Sequence, residues 1–181
     1  MPDLILILTV GWKMIERRIV KFFRRHHVLT VATTADNEPW CANCFYVYLE
    51  NENALVFTTD TDTRHGEEFL KNPLVAGSVV LETRIIGNIR GIQFQGIVSE
   101  PEGEMAEKAQ KAYIRRFPVA MLMDTHLWIV RLTHIKMTDN RLGFGKKLIW
   151  PYLPICCFTI FAIYFPSISN SIFTTVPFLI W

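Results

Sequence analysis

Residues 28–60 set the strongest limit on the fold. Three runs rich in β-branched and aromatic residues, "VLTVATT", "WCANCFYVYLE" and "ALVFTTD", are separated only by the turn-forming "ADNEP" and "ENEN". Connectors this short join antiparallel neighbours, because a parallel pair needs a crossover of about a dozen residues or more. A hairpin followed by a third strand is therefore expected. In the second run Trp40, Ala42, Cys44, Tyr46 and Tyr48 share one face, and Cys41, Asn43, Phe45 and Val47 share the other.

The rest of residues 14–150 extends this pattern. "MIERRIVKFFRRH", residues 14–26, places Ile15, Ile19, Phe22 and Phe23 on one helical face and Arg17, Arg18, Lys21, Arg24 and Arg25 on the other. That basic stripe reads as a solvated face, with contact to phosphates or a membrane as the alternative. "RHGEEFLKN" is a short helix closed at Asn72–Pro73, and "LVAGSVVLE" is a fourth strand. "TRIIGNIRGIQFQGIVSE" reads as a hairpin turning at Gly87–Asn88, with Gly91, Gln93 and Gln95 on one face of its second arm. "EGEMAEKAQKAYIRRF" is an amphipathic helix ended by Pro118. "LWIVRLTHIKMTD" is a final long strand, and "NRLGFGKKLIW" is a glycine-punctuated basic ending. The order is helix, three strands, short helix, three strands, helix, strand. It predicts a mainly β, small antiparallel barrel with flanking helices rather than a doubly wound sheet.

Half of the 181 residues are hydrophobic, enough for a sizeable core, and a net charge of +2 argues neither for nucleic acid nor for a strongly acidic partner. Charge is absent from "PYLPICCFTIFAIYFPSISNSIFTTVPFLIW", residues 151–181. A membrane-spanning helix needs about 20 consecutive apolar residues, roughly twice the proline-free run at 155–165. The tail is expected to be aberrant or disordered, with membrane association as the alternative. Residues 1–13 lack the basic start of a secretory leader. They read as an N-terminal extension ahead of Met14, and the domain is expected in the cytoplasm.

Several chemistries lack their signatures. No Ser–His–Asp arrangement, H-E-x-x-H or phosphate-binding Walker loop occurs. Among His26, His27, His65, His126 and His134, only the adjacent first pair is close in sequence, and neighbours cannot share one helical face. No metal site is expected. Cys41 and Cys44 form a C-x-x-C, but on a strand they point to opposite faces, which suits structural cysteines.

One stretch holds convergent polar groups. In "FTTDTDTRHGEEFLKN", residues 57–72, a strand end leads into a helix start, where free backbone N–H groups and a positive dipole end lie. Arg64 and His65, with the hydroxyls of Thr58, Thr59 and Thr63, would make an anion cradle fit for phosphate. A capped helix with an exposed basic residue is the plainer reading of the same residues.

The same stretch, continued through "PLVAG", resembles the signature of the pyridoxamine 5′-phosphate oxidase-like, FMN-binding split-barrel superfamily. "WCANCFYVY", "IRGIQFQG", "KAYIRRFPVA" and the "MTDN…LGFGKK…IW" ending resemble one small bacterial branch of uncharacterised proteins, the YhbP-like proteins. The resemblance covers roughly 14–150. It implies a six-stranded antiparallel split β-barrel that forms a homodimer, with FMN at the subunit interface. Carried across by position, Thr58 and Thr59 would lie along the flavin edge and ribityl chain, and Thr63, Arg64 and His65 would face the phosphate. The strand around Ala42 and Asn43 would offer backbone groups to the ring. Gln93 or Gln95 would approach from the other subunit, and Lys146 or Lys147 would complete the phosphate site. His65 stands where lysine is usual, so a permanent charge is replaced by a group mostly neutral near pH 7. Loss of one charge-assisted hydrogen bond would weaken phosphate binding by about 1–3 kcal/mol.

Three functions follow as expectations. The first is an FMN-dependent oxidoreductase with a small-molecule substrate that the residues do not specify. The second is a module holding flavin, haem or another anionic ligand without turnover. The third is a cofactor-less interaction protein of the same fold.

Overall fold

The computed structural model describes residues 14–122 and 126–151; the readings of residues 1–13 and 152–181 lie outside the described residues. In chain order the elements are α1 (Arg17–Arg25), β1 (Val28–Ala35), β2 (Glu38–Leu49), β3 (Ala54–Thr58), α2 (Arg64–Lys71), β4 (Leu74–Val80), β5 (Arg90–Ser99), α3 (Gly103–Arg116), β6 (Leu127–Asp139) and β7 (Lys147–Trp150). All strand pairings are antiparallel, in the order β3-β2-β1-β4-β5-β6, and β3 pairs with β6 to close a ring of six. Among the described residues no helix is long and apolar enough to cross a membrane.

Local chemistry sets the first hairpin. Asp36 and Asn37, the two residues between the paired Ala35 and Glu38, both have positive φ, at 53° and 64°. Asp and Asn tolerate this left-handed conformation, and a turn of this kind matches the twist of the flanking strands.

The barrel closes over only part of its length. β6 pairs along one edge with β5, but its other edge is shared: Leu127–Arg131 pair with β3 and Ile135–Thr138 with β7. β2 is shared similarly. Its edge facing β3 is paired only from Tyr46 to Leu49, so residues 38–45 have a strand partner on the β1 side alone. β2 and β3 thus diverge into a fork beyond Tyr46.

Burial explains why the ring holds this register. Val31, Tyr46, Phe57, Ile92, Phe94, Trp128 and Ile135 fill the interior, while α1 closes it with Ile19, Val20, Phe22 and Phe23. Burial of each phenylalanine contributes about 1.5–3 kcal/mol. On the outside, Val47, Ala54, Val56 and Ile129 pack against Ala109 and Tyr113 of α3, so β3 is buried on both faces. Near the middle of β6 the register with β5 shifts: Gln95 pairs with His134, but Gly96 pairs with Leu132, leaving Thr133 as an extra residue. This bulge switches the alternation of β6. Trp128 and Val130 face inward before it, and Ile135 and Met137 face inward after it.

Hydrogen bonds to its last carbonyls tie α1 to the rest of the domain. The Tyr46 hydroxyl donates to the carbonyl of Phe23 at 2.8 Å. Arg116, from the last turn of α3, donates through Nη2 to the carbonyls of Arg24 at 3.0 Å and His26 at 2.6 Å. Helix C-terminal carbonyls lack intrahelical donors, and a cation there also meets the negative dipole end.

The barrel and its flanking helices match the expectation from sequence, with two corrections. Residues 83–86 are not a strand: β4 pairs directly with β5, and residues 81–89 form the connecting loop with a 3₁₀ turn at Ile86–Asn88. The slot beside β5 is already filled by β4, so Ile85, Ile86 and Ile89 stay exposed. The end of the basic segment, Lys147–Trp150, is a seventh strand that extends the free part of the β6 edge.

Candidate functional site

The loop from Thr58 to His65 fills the mouth of the fork. Thr63 caps α2: its Oγ1 accepts from Gly66 N at 3.2 Å and donates to the carbonyl of Asp60 at 2.8 Å. A Cβ on Gly66 would stand 2.4 Å from that same carbonyl, so the tight loop requires glycine there. The Thr59 hydroxyl lies 2.6 Å from His65 Nε2 and 3.3 Å from Thr63 Oγ1, and Thr63 Oγ1 lies 3.4 Å from His65 Nε2. Backbone bonds anchor this triad. Trp128 Nε1 donates to the Thr59 carbonyl at 3.0 Å, and Thr59 N donates to the carbonyl of His126 at 3.1 Å. Partial burial holds the pKa of His65 below its ordinary value of 6.5, with Glu68 pulling weakly the other way. His65 is therefore neutral near pH 7.

Arg64 stands beside the triad, but its charge is already shared. Its Nε donates to Glu68 Oε1 at 2.9 Å and its Nη2 to Glu38 Oε2 at 3.2 Å, while the guanidinium lies 4.5 Å over the Trp40 ring. Glu68 is buried and also accepts from the Thr33 hydroxyl. The Thr33 and Arg64 bonds hold its carboxyl below the usual range against the opposing effect of burial. The remaining nitrogen, Nη1, is left for a third partner.

Tyr113 bridges the fork from the α3 side. Its hydroxyl lies 3.0 Å from Thr58 Oγ1 and 3.5 Å from the carbonyl of Phe45. Tyr46 N donates to the His27 carbonyl across the β1 pairing. By the antiparallel alternation, Ala42 then bonds to β1, and the backbone groups of Asn43 point to the edge that no strand covers. The Ala42 side chain packs toward the core, whereas Asn43 is exposed and its Oδ1 accepts from the Thr30 hydroxyl at 2.7 Å.

Gln93 and Gln95 lie in a groove of about 470 Å³ on the outer face of the barrel. Strand register builds it from two rows. One runs Cys41, Ala32, Ala76, Gln95, His134; the other runs Asn43, Thr30, Ser78, Gln93, Lys136. Small side chains in the centre make the floor shallow, and a Cβ on Gly77 would stand 2.4 Å from both Phe94 Cζ and the Thr30 carbonyl. Cys41 opens into this groove, whereas Cys44 points into the core. Burial pushes the Cys44 thiol up to about 11. The two thiols sit on opposite faces, as their spacing on a strand requires.

The proposed site residues are thus gathered only in part. Thr58, Thr59, Thr63, Arg64 and His65 form one cluster at the fork, with Asn43 on the open edge of β2. Gln93 and Gln95 line the outer groove. Lys146 and Lys147 lie at the other end of β6, where Lys147 pairs with Thr138, whereas Thr58 pairs with Leu127. Sequence reasoning passed over Glu38, Trp40, Glu68 and Tyr113. Glu68 had a signal, since it follows Arg64 by four residues on a helix. The other three come from distant segments with no common spacing.

A closed ring of six antiparallel strands with a forked edge, a capped loop in the fork and a small-residue groove outside define an FMN-type split barrel by architecture. The chain belongs to the pyridoxamine 5′-phosphate oxidase family, which it matches over residues 15–138. A UPF0306 protein of Photorhabdus laumondii is 48% identical over 132 residues, covering 73% of this chain and 92% of that protein. Among solved structures, a heme binding protein from Mycobacterium smegmatis superposes with a TM-score of 0.60 at 20% identity. The match covers 71% of this chain and 55% of that longer one. An FAD-binding protein from Mesorhizobium loti superposes with a TM-score of 0.56 at 14% identity, covering 67% and 91% of the two chains. At these identities the two structures establish a shared fold.

Proposed function

We propose that the chain is a flavin-binding split barrel, acting as an FMN-dependent oxidoreductase on a small molecule that its residues do not specify. The observation that carries this reading is the Thr59–Thr63–His65 cluster at the N-terminus of α2, beside the open edge of β2. Hydroxyls, first-turn amides and the spare nitrogen of Arg64 are donors suited to a phosphate. The charge there is thin, because Arg64 is shared with two carboxylates and His65 is neutral. Phosphate would be held by hydrogen bonds more than by charge. Bound flavin supplies hydride-transfer chemistry, while the chain binds and orients it. Asn43 offers backbone groups at the uncovered strand edge, and Gln93 and Gln95 face a second subunit across the outer groove, whose shallow floor suits the close approach of a homodimer. Lys146 and Lys147 would reach a phosphate only from that second subunit.

The test is to titrate FMN and riboflavin into wild type and Arg64→Ala. A phosphate held by Arg64 predicts that FMN weakens several-fold more than riboflavin, which lacks the phosphate. Equal losses would remove the phosphate from this loop. A second reading, a haem held without turnover, draws on His134 beside Lys136 in the outer groove. A Soret band after haem addition that His134→Ala abolishes would favour it.

A further inference from the structure

Far from the fork, three segments bring cations together. Arg18, Lys21 and Arg25, spaced three and four apart on α1, line a pocket of about 200 Å³ with Arg90, the first residue of β5, and Arg141, just beyond β6. Phe22 and Met137 form its apolar wall, and Asp139 also lines it. A merely solvated stripe would leave every cation facing water, and Arg17 and Arg24 of the same helix lie outside the pocket; Arg24 pairs with Glu50.

Arg90 behaves differently from a solvated residue. Its Nε is buried and has no hydrogen-bond partner. Leaving a buried donor unpaired costs free energy, and so does gathering like charges. Desolvation first, then Arg141 and Arg25, drive the Arg90 pKa down, with Asp139 opposing; Arg25 and Arg90 also add to the lowering of His26 that burial begins. The carboxylate of Asp139 does not neutralise the group. It is wholly buried and committed to Arg141, accepting from that residue's backbone N at 3.1 Å, Nε at 3.0 Å and Nη2 at 2.8 Å. Among the described residues, Arg18, Lys21, Arg25 and Arg90 form no ion pair.

We propose that this pocket is a binding site for a small phosphorylated anion, taking a phosphate or pyrophosphate group between α1 and the β5–β6 end of the barrel. An anion would accept from the guanidinium groups that line the pocket and relieve the repulsion among the four unpaired cations. The volume is below the range of about 300–1,000 Å³ common for whole-ligand pockets, so it suits the anionic group rather than an aromatic ring system. The half-buried position of Arg90 in a concavity favours a soluble ligand over a flat membrane surface. Within one subunit the pocket and the fork are separate, since Asp139 and Leu127 stand at opposite ends of β6.

Calorimetric titration of the full chain with pyrophosphate tests this, using Arg90→Gln, Arg18→Gln and Arg17→Gln. Arg18 is exposed, so its variant guards against a folding effect. Binding that Arg90→Gln and Arg18→Gln each weaken about tenfold or more, with Arg17→Gln unchanged, is expected. Three results would overturn the assignment. They are no binding at millimolar pyrophosphate, equal weakening by all three substitutions, or capture of the chain by phosphatidylglycerol vesicles without any pyrophosphate binding.

Discussion

The Thr59 hydroxyl and the Nε2 atom of His65 stand 2.6 Å apart, joining the end of β3 to the first turn of α2. A hydroxyl can donate to this nitrogen or accept from it, so the contact itself fits either charge state of the ring. Burial is what favours neutral histidine in this loop.

That tuning has a sign. The pKa of His65 is lowered below 6.5 in the folded chain, chiefly by burial, so the unfolded chain takes up the proton first. Its contribution is present above about pH 6.5 and is lost as pH falls through the depressed value. Thermal midpoints should fall between about pH 7.5 and about pH 5.5, and His65→Gln should show a smaller fall. His26, lowered first by burial as well, remains in both proteins and acts as a common background. An identical pH slope in the two proteins would disprove the assignment.

Glu38 competes for Arg64 from an exposed position. Its Oε2 lies 3.2 Å from Nη2, with 77% of the Glu38 side chain open to solvent. Exposed pairs of this kind are worth about 0–1 kcal/mol. Under the flavin reading, Glu38→Gln should tighten FMN by up to about fivefold and leave riboflavin unchanged in a fluorescence titration. No gain for FMN would mean that Arg64 does not turn toward phosphate.

Gly77 has no room for a side chain. A Cβ would meet the Thr30 carbonyl of the neighbouring strand at 2.4 Å, and backbone cannot yield as a side chain can. Gly77→Ala should lower stability by about 1–3 kcal/mol in urea denaturation. The same strand carries a position with no such limit: Ala76→Ser should shift the midpoint little.

Arg116 holds the end of α1 to the rest of the domain through two carbonyls. Arg116→Met keeps most of the stem volume and removes both bonds, at a cost of about 1.5–3 kcal/mol. Hydrogen exchange should rise first in residues 17–26, since those carbonyls close the helix. Unaltered protection there would assign the capping to another group.

Much of this was legible in the sequence because it is local. Asp36–Asn37 specify a hairpin by their tolerance of positive φ, the spacing of Ile19, Phe22 and Phe23 specifies the buried face of α1, and Thr63 marks the start of α2. Pattern alone misassigned residues 83–86: "RII" has strand composition, but whether it pairs depends on the free edge available, and β4 already occupies the edge beside β5. Lys147–Trp150 presents the reverse case, a short basic-to-apolar segment that becomes a strand because β3 leaves the β6 edge beyond Arg131 unpaired.

The candidate sites divide the same way. The donors at residues 58–65 are visible because eight neighbouring positions of chain carry them, and local geometry brings them together. Their electrostatics were not visible: Glu38 and Trp40 reach Arg64 across the fork, and they turn a free cation into a shared one. The cationic pocket is the extreme case. Its α1 residues form a stripe that composition reads as solvated, and only the closure of β5 and β6 sets Arg90 and Arg141 against it. Sequence by itself determined the elements, their faces and the turn chemistry, since these depend on near neighbours and side-chain periodicity. Tertiary structure decided which charges share a site, because charge interactions depend on distance and burial, and neither follows from position along the chain.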